Sequence, residues 1–196
     1  MLVVIAGMLY LFFLADNNLF NTRSWKELWN LGHIPVFTII GYMAYRIRPE
    51  LQDKSLFSQC VLMLSIGVIA GLSIELIQMG VGRNASFSDL LMDVLGVALA
   101  IPVFSRRFHS LSFTIKVSVY LLAVVLLVVA SSKFMNMILD EFHADRQFPV
   151  LADFEHKREL SRWSGKAKRN LSREVFYAGA SSLKVSPIKK YYSGVE

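Results

Sequence analysis

Residues 71–96, GLSIELIQMGVGRNASFSDLLMDVLG, hold the side chains best suited to chemistry. Glu75 and Gln78 close one apolar segment, Arg83 sits in the link, and Ser86, Asp89 and Asp93 open the next. A carboxyl in apolar surroundings has its neutral form favoured, which suits a general acid or base. His33, at the start of another apolar segment, is its counterpart. On this assignment Glu75, His33 and Asp89 are the candidate catalytic residues, and Gln78, Arg83, Ser86 and Asp93 would hold a ligand. Arginine can grip a phosphate or carboxylate bidentately. No serine or cysteine nucleophile stands out, which leaves acid–base chemistry or a metal. Glu75, Asp89, Asp93 and His33 lack a tight ligand spacing, so no metal site is assigned.

Each of these residues also has a plainer role. Asp89 follows Ser86 by three positions, the spacing of an N-cap and an acid in the first helical turn. Asp93 lies one turn deeper, about 6 Å along the axis, beyond any capping role. Glu75 has no Lys or Arg within a turn and needs a partner from another segment. Arg83 could be that partner, could pair with Asp89, or could be exposed. Gln78 and His33 could simply hydrogen-bond between helices.

The segments that carry these residues are membrane-like. The chain is 54% hydrophobic and 18% charged, with mean hydropathy +0.45. Its apolar residues come in blocks, and that excludes an ordinary soluble domain. Spans are expected at residues 1–15, 34–47, 59–79, 90–104 and 113–131. The first would reach only about 22 Å against a hydrocarbon core of about 30 Å. Trp25 and Trp29, between the first two spans, suit a membrane–water interface. Lys116 near the start of the fifth can snorkel to headgroups. The single cysteine, Cys60, rules out an internal disulfide framework and reads as a small apolar residue. No glycine-rich phosphate loop is present, so ATP-driven transport is unsupported.

Counting charges orients the spans. Links 46–57 and 105–112 hold three and two Lys/Arg, against one in 80–89 and two in the longer 16–32. The positive-inside rule then puts the N-terminus in the cytoplasm and the C-terminus outside. His33, Glu75, Gln78, Arg83, Asp89 and Asp93 all fall at one depth, in the outer leaflet. Ionisable groups within spans cost roughly 2.5–3.5 kcal/mol each at mid-bilayer, so such a group usually faces a partner or a wet cavity. Helical spacing agrees. Gly67, Gly71, Glu75 and Gln78 share one face of the third span, and Asp89, Asp93, Gly96 and Ala100 share one face of the fourth. Small residues on each face would let helices approach closely.

In this order His33, Glu75-x-x-Gln78, Gly82-Arg83, Ser86-x-x-Asp89 and the Gly96 helix resemble the VanZ-like family of bacterial membrane proteins, over about residues 20–105. The family is named for a protein associated with glycopeptide antibiotic resistance, and the resemblance implies a link of that kind without supplying a molecular activity. One position departs. Before the V-L-G turn the family commonly carries asparagine, whereas this chain has Asp93, which adds a possible negative charge.

Beyond a juxtamembrane linker at 133–147, residues 148–196 change character. Strand-like fragments alternate with turn signals at Gly165, Gly179 and Gly194. Asp153 to Glu155, Leu160 to Trp163, Ala178 to Leu183 and Tyr192 to Val195 are similar to the opening of carbohydrate-binding β-sandwich modules. About 49 residues are too few for a two-sheet sandwich, which needs roughly 100. The tail is therefore expected to be incomplete, or to pack on other parts. Trp163, Tyr191 and Tyr192 could stack on sugars or serve as core and edge aromatics. The basic run Lys166, Lys168, Arg169 and Arg173 is a solvated face or a contact for lipid headgroups or anionic polymer.

The expected architecture is an all-α polytopic membrane bundle of about five transmembrane helices over residues 1–132, with a short β-rich extracytoplasmic tail. Its expected home is the bacterial cytoplasmic membrane. Three functional readings follow. The outer-leaflet site binds a lipid-linked precursor, another lipid or a cell-wall glycan; or it is a membrane-embedded acid–base hydrolase or transferase; or the bundle is an anchor that presents the tail. Membrane lipid is the expected partner and nucleic acid is not. No cofactor is indicated.

Overall fold

The computed structural model describes residues 22–80, 86–165 and 167–187. The chain divides into two compact units, Met1–Ser132 and Lys133–Glu196. In the first, helices follow one another as α1 (Arg23–Leu31), α2 (His33–Ile47), α3 (Leu56–Gly80), α4 (Phe87–Phe104), a one-turn α5 (Arg106–His109) and the start of α6 (Phe113–Gln147). The expected first span lies outside the described residues.

Local chemistry sets the ends. Thr22 caps α1 by accepting the Trp25 backbone N–H at 3.3 Å. Pro35 sits in the first turn of α2, where no intrahelical N–H is needed. Pro49 starts a 3-10 turn (Pro49–Asp53), and the residue before a proline disfavours helical backbone. Arg48 accordingly leaves the α region (φ −122°, ψ 75°), and α2 stops at Ile47. Ser86 opens α4 by accepting the Asp89 N–H at 3.3 Å, as its spacing predicts.

Among the described helices, α3, α4 and α6 are long and apolar enough to cross a membrane. They coincide with the expected third, fourth and fifth spans. At 15 residues α2 reaches only about 22 Å, less than a full hydrocarbon core. It forms one wall of the bundle core. Phe37, Tyr45, Leu51, Met63, Val97 and Ile101 form that core, from α2, the 3-10 turn, α3 and α4. α4 is the central element. A Cβ on Gly96 would lie 2.5 Å from the Ile34 carbonyl oxygen, and one on Gly41 would lie 2.5 Å from Ala100 Cβ. These glycines let α2 and α4 touch backbone to backbone, where a side chain would force them apart. On the α3 side Gly67 does the same against the Val94 backbone, and Gly71 makes room for the Leu90 and Asp93 side chains. The small-residue faces therefore split: those of α3 receive α4, whereas Gly96 and Ala100 of α4 receive α2.

α6 continues past the expected end of the fifth span at residue 131, so the stretch read as a linker is helical through Gln147. In the second unit a 3-10 helix (Lys157–Arg162) precedes two antiparallel strands, β1 (Lys168–Ser172) and β2 (Ser182–Ser186), with Leu171 opposite Leu183. Leu160 to Arg162, read as strand-like, is part of the 3-10 helix. Glu159 explains why: its carboxylate accepts the backbone N–H groups of Asp153 and Phe154 at 3.0 and 2.8 Å and curls the chain. Ala167 is the one hydrophobic residue buried in this unit among those described. Carboxylates take the place of a core. Asp140, fully buried, receives Arg162 through Nε at 3.1 Å and Nη2 at 2.9 Å. These hydrogen bonds hold the Arg162 guanidinium above its usual pKa. Glu155 accepts the N–H groups of Ala180 and Ser181 at 2.6 and 3.2 Å beside Gly179, whose φ of +79° suits glycine.

Candidate functional site

His33, Asp93, Glu75 and Gln78 are all buried, at 3%, 0%, 6% and 5% exposure. They sit at one end of the bundle: the first residue of α2, the second turn of α4 and the last two turns of α3. His33 Nδ1 lies 2.7 Å from Asp93 Oδ1 across the α2–α4 seam that Gly96 keeps tight. A carboxyl group at that nitrogen orients the ring. The carboxyl group that stands where the family commonly has asparagine thus faces the imidazole.

Asp93 also faces α3. A Cβ on Gly71 would come within 2.7 Å of Asp93 Oδ2, so the missing side chain makes room for the carboxylate. Asp93 Oδ2 is buried and has no hydrogen-bond partner among the described residues. One turn beyond Gly71, Glu75 Oε2 accepts the Ser86 backbone N–H at 2.7 Å, which ties the end of α3 to the start of α4. The partner that Glu75 requires is thus this backbone amide. Glu75 Oε1 is likewise buried without a described partner. Asp89 is half-buried, with its N–H engaged in the Ser86 cap. Arg83 lies outside the described residues, and the pairings considered for it do so too.

Chemically, this end is a carboxylate-rich rim with one imidazole. Two of its buried oxygens offer lone pairs to a donor. A buried acceptor left unsatisfied costs about 1–3 kcal/mol, more when charged, which a donor group on a ligand would recover. An oriented imidazole beside carboxylates is also equipped for proton transfer.

The opposite end carries a second polar cluster that residue spacing did not reveal. Gln59 Oε1 accepts hydrogen bonds from Tyr45 Oη at 2.8 Å and Ser105 Oγ at 2.7 Å, and Gln59 Nε2 donates to the Lys54 carbonyl at 3.0 Å. Gln52 donates to the Phe104 carbonyl at 3.0 Å and accepts the Arg106 N–H at 2.9 Å. These are ordinary polar residues at helix ends, and only their convergence from α2, α3 and α4 marks them. The signal available was faint: Tyr45 and Gln59 flank the Pro49 turn, and Ser105 ends α4. Every side-chain oxygen and amide of the cluster named here has a partner, so it ties the bundle together and leaves nothing to offer a ligand.

The comparisons with known proteins add one match. The VanZ/LLP1 family model matches residues 2–110, which include α1 to α5 and both polar clusters. No curated protein and no solved structure matches the chain. The match spans more than half of the sequence and encompasses the region of the histidine-end motifs, and the chain belongs to the VanZ/LLP1 family of membrane proteins.

Proposed function

We propose that the rim formed by His33, Glu75, Gln78, Ser86, Asp89 and Asp93 binds a cell-envelope component through hydroxyl or amine donors. A lipid-linked precursor, another lipid or a glycan has that chemistry. The observation that carries the reading is the pair of buried carboxylate oxygens, Glu75 Oε1 and Asp93 Oδ2, which lack donors at one end of a bundle whose other polar cluster is satisfied. The distribution of Lys and Arg supports a position for this end in the outer leaflet of the cytoplasmic membrane, with the N-terminus inside and the C-terminus outside. In the same reading Arg83 takes an anionic part of the ligand, such as a phosphate.

Native mass spectrometry of the purified protein tests this. Wild type should carry a lipid or glycan adduct that Glu75→Gln and Asp93→Asn lose while remaining folded. An adduct retained by both variants would refute the site.

The His33–Asp93 pair favours a second reading, an acid–base hydrolase or transferase acting on a lipid-linked envelope substrate. It differs in one outcome: Glu75→Gln or His33→Gln would then abolish turnover while the adduct persists. Either reading is compatible with the link to glycopeptide resistance that the family resemblance implies. Expression in a sensitive host should raise the tolerated antibiotic concentration, and Asp93→Asn should erase the gain.

A further inference from the structure

Asp153, His156 and Glu159, three residues apart in sequence, converge in the second unit, and their ligand-capable atoms all lie within 4.8 Å of one another. We propose that they form a binding site for a divalent transition-metal ion, zinc above all, that clips the tail together. This site is independent of the rim on the helical bundle.

Geometry carries the proposal. Glu159 is 1% exposed, and its Oε2 takes both backbone N–H bonds from Asp153 and Phe154. Its Oε1 makes no hydrogen bond among the described residues and stands 3.6 Å from His156 Nδ1. That separation is too long for a hydrogen bond, whose N···O distance is about 2.7–3.2 Å. It matches the edge of a zinc tetrahedron, because two ligands about 2.1 Å from the metal lie roughly 3.4 Å apart. The 3-10 hydrogen bond from the Glu159 N–H to the His156 carbonyl, at 3.0 Å, fixes this relation in the backbone.

Asp153 completes the set. Its Oδ1 accepts the Glu155 N–H at 3.1 Å and its Oδ2 accepts Gln147 Nε2 at 3.0 Å, and each oxygen keeps a second lone pair. Two carboxylates and an imidazole suit zinc and its neighbours better than calcium, which prefers oxygen alone. Asp153 and His156 are exposed, so an ion can reach the site from solvent. The fourth position falls to water or to His143, whose ring lies 6.0 Å from that of His156. A unit with so little apolar core gains most from such a clip.

The test uses the full chain in detergent, stripped of metal by a chelator and titrated with zinc chloride. Calorimetry and elemental analysis should find one zinc per chain. His156→Ala and Asp153→Asn should each weaken binding at least about tenfold, whereas His109→Ala, in the first unit, should bind as wild type does. Circular dichroism of the metal-free His156→Ala protein should match wild type and separate lost ligation from misfolding. Absence of stoichiometric zinc, equal uptake by the ligand variants, loss on His109→Ala, or uptake of calcium in place of zinc would overturn the proposal.

Discussion

The two ends of the helical bundle use buried polar side chains to opposite effect. At the Gln59 end, an amide, a phenol and a hydroxyl from three elements satisfy one another and the backbone. At the His33 end, two carboxylates each use one oxygen internally and leave the other buried without a described donor. Along α4 the ends are about 18 Å apart, counting from Asp93 to Ser105. A satisfied buried network contributes stability and specifies how helices meet. An unsatisfied one costs stability, a cost that a donor on a ligand would recover. The tail follows the Gln59 end: its buried Asp140 is met by a bidentate arginine.

The comparison can be pressed hardest where satisfaction is most complete. Asp140→Ala would strand the Arg162 guanidinium, and removing one partner of a buried pair costs about 3–5 kcal/mol. Denaturation of the tail, followed by protection of its backbone amides, should show that loss. Gln59→Ala would leave the Tyr45 and Ser105 hydroxyls without their acceptor. At about 1–3 kcal/mol per stranded group, a loss of roughly 3 kcal/mol is expected. It should lower the unfolding midpoint of the bundle in detergent without removing any bound adduct.

Gly96→Val tests whether close approach builds the His33 end. Its side chain would start 2.5 Å from the Ile34 carbonyl oxygen, and such overpacking costs about 1–3 kcal/mol. By parting α2 from α4 it should lengthen the His33–Asp93 contact and weaken adduct binding together with stability. Glu75→Gln should reverse the pattern of Gln59→Ala. The amide oxygen can still accept the Ser86 N–H, so stability should shift by no more than about 1 kcal/mol while binding is lost. A large stability loss here, with binding intact, would show that the two ends are alike after all.

The smallest effect concerns acid. The backbone N–H of Glu155 holds the exposed Asp153 carboxyl below its usual pKa, outweighing the opposing effect of its slight burial; Glu159, His156 and Arg162 act in the same direction as the N–H. A depressed carboxylate pKa contributes stability above the unfolded value, near 3.9, and loses it as pH falls through the folded one. Tail stability in wild type should therefore decline as the solution is acidified below about pH 4. Asp153→Asn should flatten that decline.

How far the sequence carried depended on which force was acting. The apolar blocks at 59–79, 90–104 and 113–131 announced α3, α4 and α6, because exclusion from water depends on composition and length alone. Helical period put Gly67, Gly71, Glu75 and Gln78 on one face, and all four are buried together. Ser86 and Asp89 announced their cap, which is a matter of neighbours in sequence. The tail was less legible. The fragment Ala178 to Leu183 overlaps only the start of β2, and β1 falls in the stretch read as a basic run. Spacing also suggested a strand where Glu159 winds a 3-10 helix, since a carboxylate that gathers backbone N–H groups overrides local preference.

Sequence alone determined that this is a membrane bundle with acids clustered near helix ends, because hydropathy and period are properties of segments. Tertiary structure alone decided the pairings. It set His33 on Asp93, gave Glu75 to the Ser86 amide, and sent Gly96 toward α2 while Gly71 opened space for a carboxylate. Those choices depend on how closely helices remote in sequence can approach. That limit is set by atoms in contact, and no reading along one chain counts them.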